Sequence, residues 1–185
     1  MEHLYINYPI HYNGTQLSSL WAYRNFQVRG DSIIAFQGSC HVELTEMVDL
    51  EDVLAGAFIH SEEMLHFIIE HFDMDLEKAV LRQRLLVAGV GEEVFRQTGV
   101  RLERRGDDLY LGQNKLSVSI ATLSPVSSLI HLGLNLRTDG TPVPTVSLGD
   151  LGVRDVCGFA GAVLNNYTTE VDSIQKARCK VRGVG

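Results

Sequence analysis

The residues best suited to chemistry lie in DDLYLGQNKLSVSIATLSPVSSLIHLGLNL, residues 107–136. Lys115 opens a run in which Leu116, Val118 and Ile120 alternate with Ser117, Ser119 and Ala121. Successive side chains on a strand point to opposite faces, so Lys115, Ser117, Ser119 and Ala121 share one. A lysine there offers a cation able to neutralise charge on a carbonyl or phosphate oxygen. Its alternative is a strand-edge lysine in solvent. His131 and Asn135 belong to the next run and add hydrogen-bonding groups.

Three further sets need weighing. Arg24 and Arg29, with Gly30 following, precede an apolar run, and forked guanidinium bonds there could hold a phosphate or carboxylate. Taken alone, such arginines are ordinarily solvated in a loop. Glu62, His66 and Glu70 are spaced four apart. On a helix they would form one polar row, and a lone row lacks converging ligands from elsewhere, so no metal site is expected. Cys40 and His41 are strand neighbours pointing to opposite faces, which excludes them as a nucleophile–base pair. Neither GxxxxGK[ST] nor GxGxxG occurs, so the usual phosphate-loop and dinucleotide fingerprints are missing.

The chain has 185 residues, which suits one domain able to bury a core without metals or disulfides. A net charge of −7 argues against a general nucleic-acid surface. The three cysteines show no paired spacing and fit a reducing cytoplasm. The first residues carry no secretory signal pattern, and no apolar run approaches the roughly 20 residues needed to span a bilayer.

The elements that must position these groups follow from periodicity. Residues 5–9 read as a first edge strand, and residues 16–26 as a short helix with Leu17, Leu20 and Trp21 inward. Residues 33–38 and 39–44 read as two successive strands, and residues 46–52 as a turn with one helical turn. Met64, Leu65, Ile68, Ile69 and Phe72 recur at helical spacing, which predicts a helix over 60–72 with Ser61 at its N-cap. Asp75 is expected to cap a helix over Leu76–Thr98, ended by Gly99. That helix buries Leu76, Ala79, Val80, Val87, Val90 and Val94. Leu81 and Leu85 face the other way, which would suit a second cover such as another subunit. Gln83 falls within the buried stripe, as a structural hydrogen-bonding group or a ligand contact. Strands are predicted over 107–111, 115–123 and 128–136, and a last helix over 155–173. Grouped strands with helices between and after them give an α+β class.

The chain also resembles a known family. LWAYRNFQVRGDSIIAFQGSC, EMVDLEDV, HSEEMLHFIIEHFD, DLEKAVLRQRLLV and the segment from Asp107, with its following TPVPTVSLGDLG, are similar to the domain-of-unknown-function family DUF366. The resemblance covers roughly residues 20–152. It implies a relative of the biotin and lipoate protein ligases, with a mixed, mostly antiparallel sheet packed with helices. That core would be followed by a C-terminal helix over about 153–175 and a frayed basic tail. In that superfamily a strand opening with lysine precedes one ending in a His-Gly or Gly-x-x-Asn pattern. Asn114-Lys115-Leu116 and His131-Leu132-Gly133-Leu134-Asn135 are similar. Lys115 would then contact an acyl carboxyl or acyl-phosphate, with Ser117, His131 and Asn135 around it and Arg24, Arg29 and Gly30 as anion holders.

Residues 137–144 contain no cysteine, unlike the octanoyl transferases, so a covalent thioester route is not expected. The segment 24–32 has one glycine where the ligases have a glycine- and arginine-rich loop. The resemblance implies activation of a small carboxylic acid with ATP and Mg²⁺. A metabolite-binding protein without turnover and an interaction protein with a residual pocket stay open beside it.

Overall fold

The computed structural model describes residues 1–56, 59–141 and 143–185. Its elements are β1 (Glu2–Ile6), α1 (Trp21–Phe26), β2 (Ser32–Val42), α2 (Leu50–Ala55), β3 (Ile59–His71) and α3 (Leu76–Thr98). They continue as β4 (Glu103–Arg105), β5 (Asp108–Leu111), β6 (Asn114–Lys115), β7 (Ser117–Leu123), β8 (Ser128–Asn135) and α4 (Val156–Ala177). A five-stranded sheet runs β1-β2-β3-β8-β7, parallel only between β1 and β2. β4, β5 and β6 make a small antiparallel sheet. The α+β class and mostly antiparallel sheet agree with the sequence.

Alternation in the strands separates two cores. On one face Ile33 and Ala35 of β2, Leu65, Phe67 and Ile69 of β3 and Ile130, Leu132 and Leu134 of β8 pack under α3 and α4. Asp75 and Asp155 start those helices by accepting from the amides of Lys78 and Gly158, and satisfying such orphan donors favours a helix start. Gly99 ends α3 with a positive φ of 74°. On the other face Ile34, Phe36, Cys40, Met64 and Ile68 meet Tyr12 and Trp21. No helix among the described residues is long and apolar enough to cross a membrane.

Residues 60–72 are the main correction. They form β3, not a helix. β3 is the middle strand of five, with apolar cover on both faces, so its apolar residues run on continuously. Such a run also satisfies helical spacing, and periodicity alone cannot separate the two. Ser61 therefore caps nothing, its hydroxyl donating to the Glu63 carbonyl at 3.4 Å. His66 and Glu70 still share a face, now by strand alternation, but that face is not a solvated row, with His66 0% and Glu70 4% exposed; Glu62 lies beyond a register irregularity and is exposed.

Smaller differences have local causes. α1 starts only at Trp21, because hydrogen bonds from Asn13 and Gln16 hold the preceding residues in turns. The two strands expected over 33–44 are one, with a register irregularity between Gly38 and Cys40. At Gly38 a Cβ would lie 1.9 Å from the Ile10 carbonyl oxygen, so glycine alone lets residues 10–12 dock along β2. Within α3, Leu86 joins the buried stripe while Leu76 and Leu81 are exposed.

Candidate functional site

Lys115 stands where the two sheets meet. The run 115–123, read as one strand, divides at Leu116, whose amide donates to the Leu109 carbonyl. Lys115 thus pairs with Tyr110 in the small sheet, while Ser117 onward pairs with β8. Its amide donates to the Pro144 carbonyl at 2.9 Å, and its carbonyl accepts from the Val146 amide and from Asn135 Nδ2, both at 3.1 Å. The backbone is held from three sides. At the side-chain tip, Nζ lies 2.7 Å from Asp108 Oδ2. Burial alone would lower the Lys115 pKa, but the Asp108 charge and hydrogen bond outweigh it and hold it above its usual value. Burial pushes the Asp108 carboxyl up, and Lys115 pulls it back without cancelling the rise. Lys115 is therefore a cation at neutral pH and no candidate for a base or nucleophile.

Ser117, Ser119 and Lys115 converge as alternation required, on the segment Asp107-Asp108. Ser117 Oγ accepts from the Leu109 amide at 2.9 Å and contacts Asp108 Oδ1 at 3.3 Å. Ser119 Oγ donates to the Asp107 carbonyl and accepts from Gln83. Gln83 also donates to Asp107 Oδ2 at 3.1 Å, which gives this buried amide a structural place. The Ser117 hydroxyl is committed to the β5–β7 junction, so it positions Asp108 instead of offering itself to a ligand.

A cavity of about 420 Å³ opens beside this pair, within the range of small-molecule sites. Lys115, Asp108, Asn135, His131, Met64 and Tyr12 all line it. Its only lysine or arginine among the described residues is Lys115, against five carboxylates: Glu46, Asp49, Asp52, Asp107 and Asp108. Behind Met64, a Cβ at Gly133 would press on Met64 Cε at 2.9 Å.

Deeper along β8 lies a feature that the sequence did not reveal. His131 Nε2 and His66 Nδ1 are 3.1 Å apart, and His66 Nε2 is 3.3 Å from the Gly38 carbonyl. Tyr12 stacks on His131 with ring centroids 3.9 Å apart. Burial drives the His66 pKa down to about 3 and holds His131 well below its ordinary value. Both rings are neutral at physiological pH. Misreading β3 as a helix hid this pair, because only strand pairing places Ile68 opposite His131 with His66 beside it.

The proposed anion holders lie elsewhere. Arg24 donates to Ser18 Oγ and the Ser19 carbonyl, and Arg29 donates to Tyr23 and stacks over its ring. Gly30 has open space about it. They gather near Ser32, which pairs with Glu70, whereas the cavity lies toward the Met64–Asn135 end.

The chain matches the family described as "Domain of unknown function (DUF366)" over residues 1–182. It belongs to the DUF366 family. An uncharacterized protein of Methanocaldococcus jannaschii is 37% identical over 182 residues, covering 95% of this chain and 82% of that protein. A protein of unknown function from Pyrococcus horikoshi superposes with a TM-score of 0.94 at 39% identity, over 100% of both chains. The fold of this DUF366 protein is also that of the biotin and lipoate protein ligases. Biotin protein ligase from Aquifex aeolicus, in complex with biotin and ATP, gives a TM-score of 0.62 at 14% identity, over 92% of this chain and 73% of that one. Lipoate-protein ligase A bound with ATP gives 0.56 at 15% identity, over 93% and 86%.

Proposed function

We propose that this DUF366 protein binds a small carboxylic acid in the cavity beside Lys115. The observation that carries the reading is the Lys115–Asp108 pair, held at the cavity wall by a backbone fixed on three sides. An ammonium has three donors, and Asp108 occupies one, leaving others for a carboxylate. Asn135 acts by holding the Lys115 carbonyl, and His131 faces the acid's distal part. The similarity of fold to a biotin protein ligase in complex with biotin and to a "putative lipoate protein ligase" with bound lipoic acid supports a carboxylic acid as the ligand class.

The cavity does not fit a nucleoside triphosphate on this chain's residues. One ammonium among five carboxylates can meet the single charge of a carboxylate but not the several charges of a triphosphate, and Arg24 and Arg29 do not line the cavity. Binding without turnover is therefore the reading the geometry favours. Titration with biotin, lipoate, octanoate and amino acids, on wild type and Lys115→Ala, tests it. One acid should bind to wild type and lose at least tenfold in the variant; binding indifferent to Lys115 would overturn the reading. ATP–pyrophosphate exchange on the same panel should stay at background, and exchange that depends on one acid would restore adenylation.

A further inference from the structure

The histidine pair has only one arrangement of protons. The Gly38 carbonyl can only accept, so His66 Nε2 carries hydrogen and donates to it. Neutral His66 then has a bare Nδ1, which obliges His131 Nε2 to donate across the 3.1 Å contact. Neutral His131 is left with a bare Nδ1. That nitrogen has no hydrogen-bond partner among the described residues, yet it is not a sealed, unsatisfied atom, and His131 lines the cavity. Gly38 is itself fixed, because the approach of Ile10 admits only glycine there. Tyr12, stacked on both rings, keeps the imidazoles from turning.

We propose that the Gly38–His66–His131 chain is a fixed hydrogen-bond acceptor that makes the deep end of the cavity selective for a ligand bearing an N–H or O–H donor. The choice of ligand class rests on the carboxylate reading above and deepens it. His131 and Asn135 are four residues apart on β8, roughly 13 Å between Cα atoms at strand rise, Asn135 bonds the Lys115 carbonyl, and Lys115 and His131 line the same cavity. The fitting ligand is thus an acid long enough to set its carboxylate at Lys115 and an amide, hydroxyl or amine hydrogen at His131. A plain aliphatic or ether terminus would leave His131 Nδ1 unpaired, which weakens binding when water is excluded. His131 sets specificity; His66 is a positioning residue acting through it.

Nitrogen-15 NMR of histidine-labelled protein at pH 7 reads the chain directly, with His66→Gln and His131→Gln for assignment. Both rings should be neutral with hydrogen on Nε2. A hydrogen on His131 Nδ1 would overturn the proposal whatever binds. Two neutral probes that need no cation are then titrated, 2-pyrrolidinone with its N–H and N-methylpyrrolidinone without. The first should shift His131 Nδ1 and the second should not; equal shifts, or none from either, would also overturn it. In His66→Phe the His131 proton is free to move, and discrimination between the lactams should fall at least fivefold while the fold is kept. If that variant does not fold, the wild-type spectra still decide. Two acids, octanoate and 8-hydroxyoctanoate, judge the carboxylate reading separately: loss of both in Lys115→Ala supports it, and indifference to Lys115 sinks it without touching the lactam result.

Discussion

The two faces of the central sheet treat buried histidine differently. Under α3 and α4, His71 has both nitrogens matched: Nδ1 is 3.0 Å from Asp31 Oδ2, and Nε2 is 3.0 Å from the Tyr167 hydroxyl. Asp31 also accepts from the Phe72 amide, tying the end of β3 to the loop before β2. On the opposite face His66 and His131 satisfy each other and Gly38, and one nitrogen is left toward a cavity. A buried polar group without a protein partner costs stability. The contrast separates a closed network, which serves the fold, from an open one, which is suited to a ligand.

The contrast can be broken first in the covered face. Phe67 is fully buried there, and Phe67→Ala should cost about 3–5 kcal/mol in urea unfolding. An effect below 1 kcal/mol would mean that this core is looser than its packing implies. His71→Leu should cost about 1–3 kcal/mol, because Asp31 and Tyr167 each lose a partner. His131→Phe should cost less than His71→Leu, since the ring keeps its stacking on Tyr12 and only His66 Nδ1 is orphaned. Equal costs would erase the distinction between closed and open networks.

Acid sharpens the comparison further. Above pH 6.5 both His66 and His131 are neutral folded or unfolded, and their titration contributes nothing. As pH falls below that value the unfolded chain gains protons that the folded rings refuse, His66 down to about 3. Stability is therefore lost with falling pH, by about 1.4 kcal/mol per unit for each ring. Urea midpoints at pH 7 and 5.5 should diverge more for wild type than for a His66→Phe, His131→Phe double variant. Identical pH dependence would show that the pair is not held neutral by burial. The smallest effect is expected at Leu54, 88% exposed on α2, where Leu54→Ser should change stability by less than about 0.5 kcal/mol.

Much of the framework was legible in the sequence. Asp75, Gly99 and the stripe of α3 gave that helix its ends, and a last helix over 155–173 falls within α4 apart from its cap at Asp155. Lys115, His131 and Asn135 were singled out, and they line one cavity. What stayed hidden depended on long-range pairing. The middle strand β3 looked helical because burial on both faces removes the alternation that marks a strand. Its error carried His66 with it, and no local signal could have joined His66 to His131, 65 residues away. Asp108 was readable as a strand residue but not as the partner of Lys115, since that contact exists only after the hairpin closes. Arg24 and Arg29 show the converse, a suggestive local pattern that the fold places away from the cavity.

The measurement that bears most directly on the central claim is a thermodynamic cycle on the carboxylate itself. An acid that binds is compared with its primary amide, by calorimetry, on wild type and Lys115→Met. Wild type should prefer the acid at least tenfold, and the variant should bind acid and amide within about threefold. A preference for the acid that survives loss of Lys115, or an amide that binds wild type as well as the acid, would contradict the assignment of Lys115 as the carboxylate anchor.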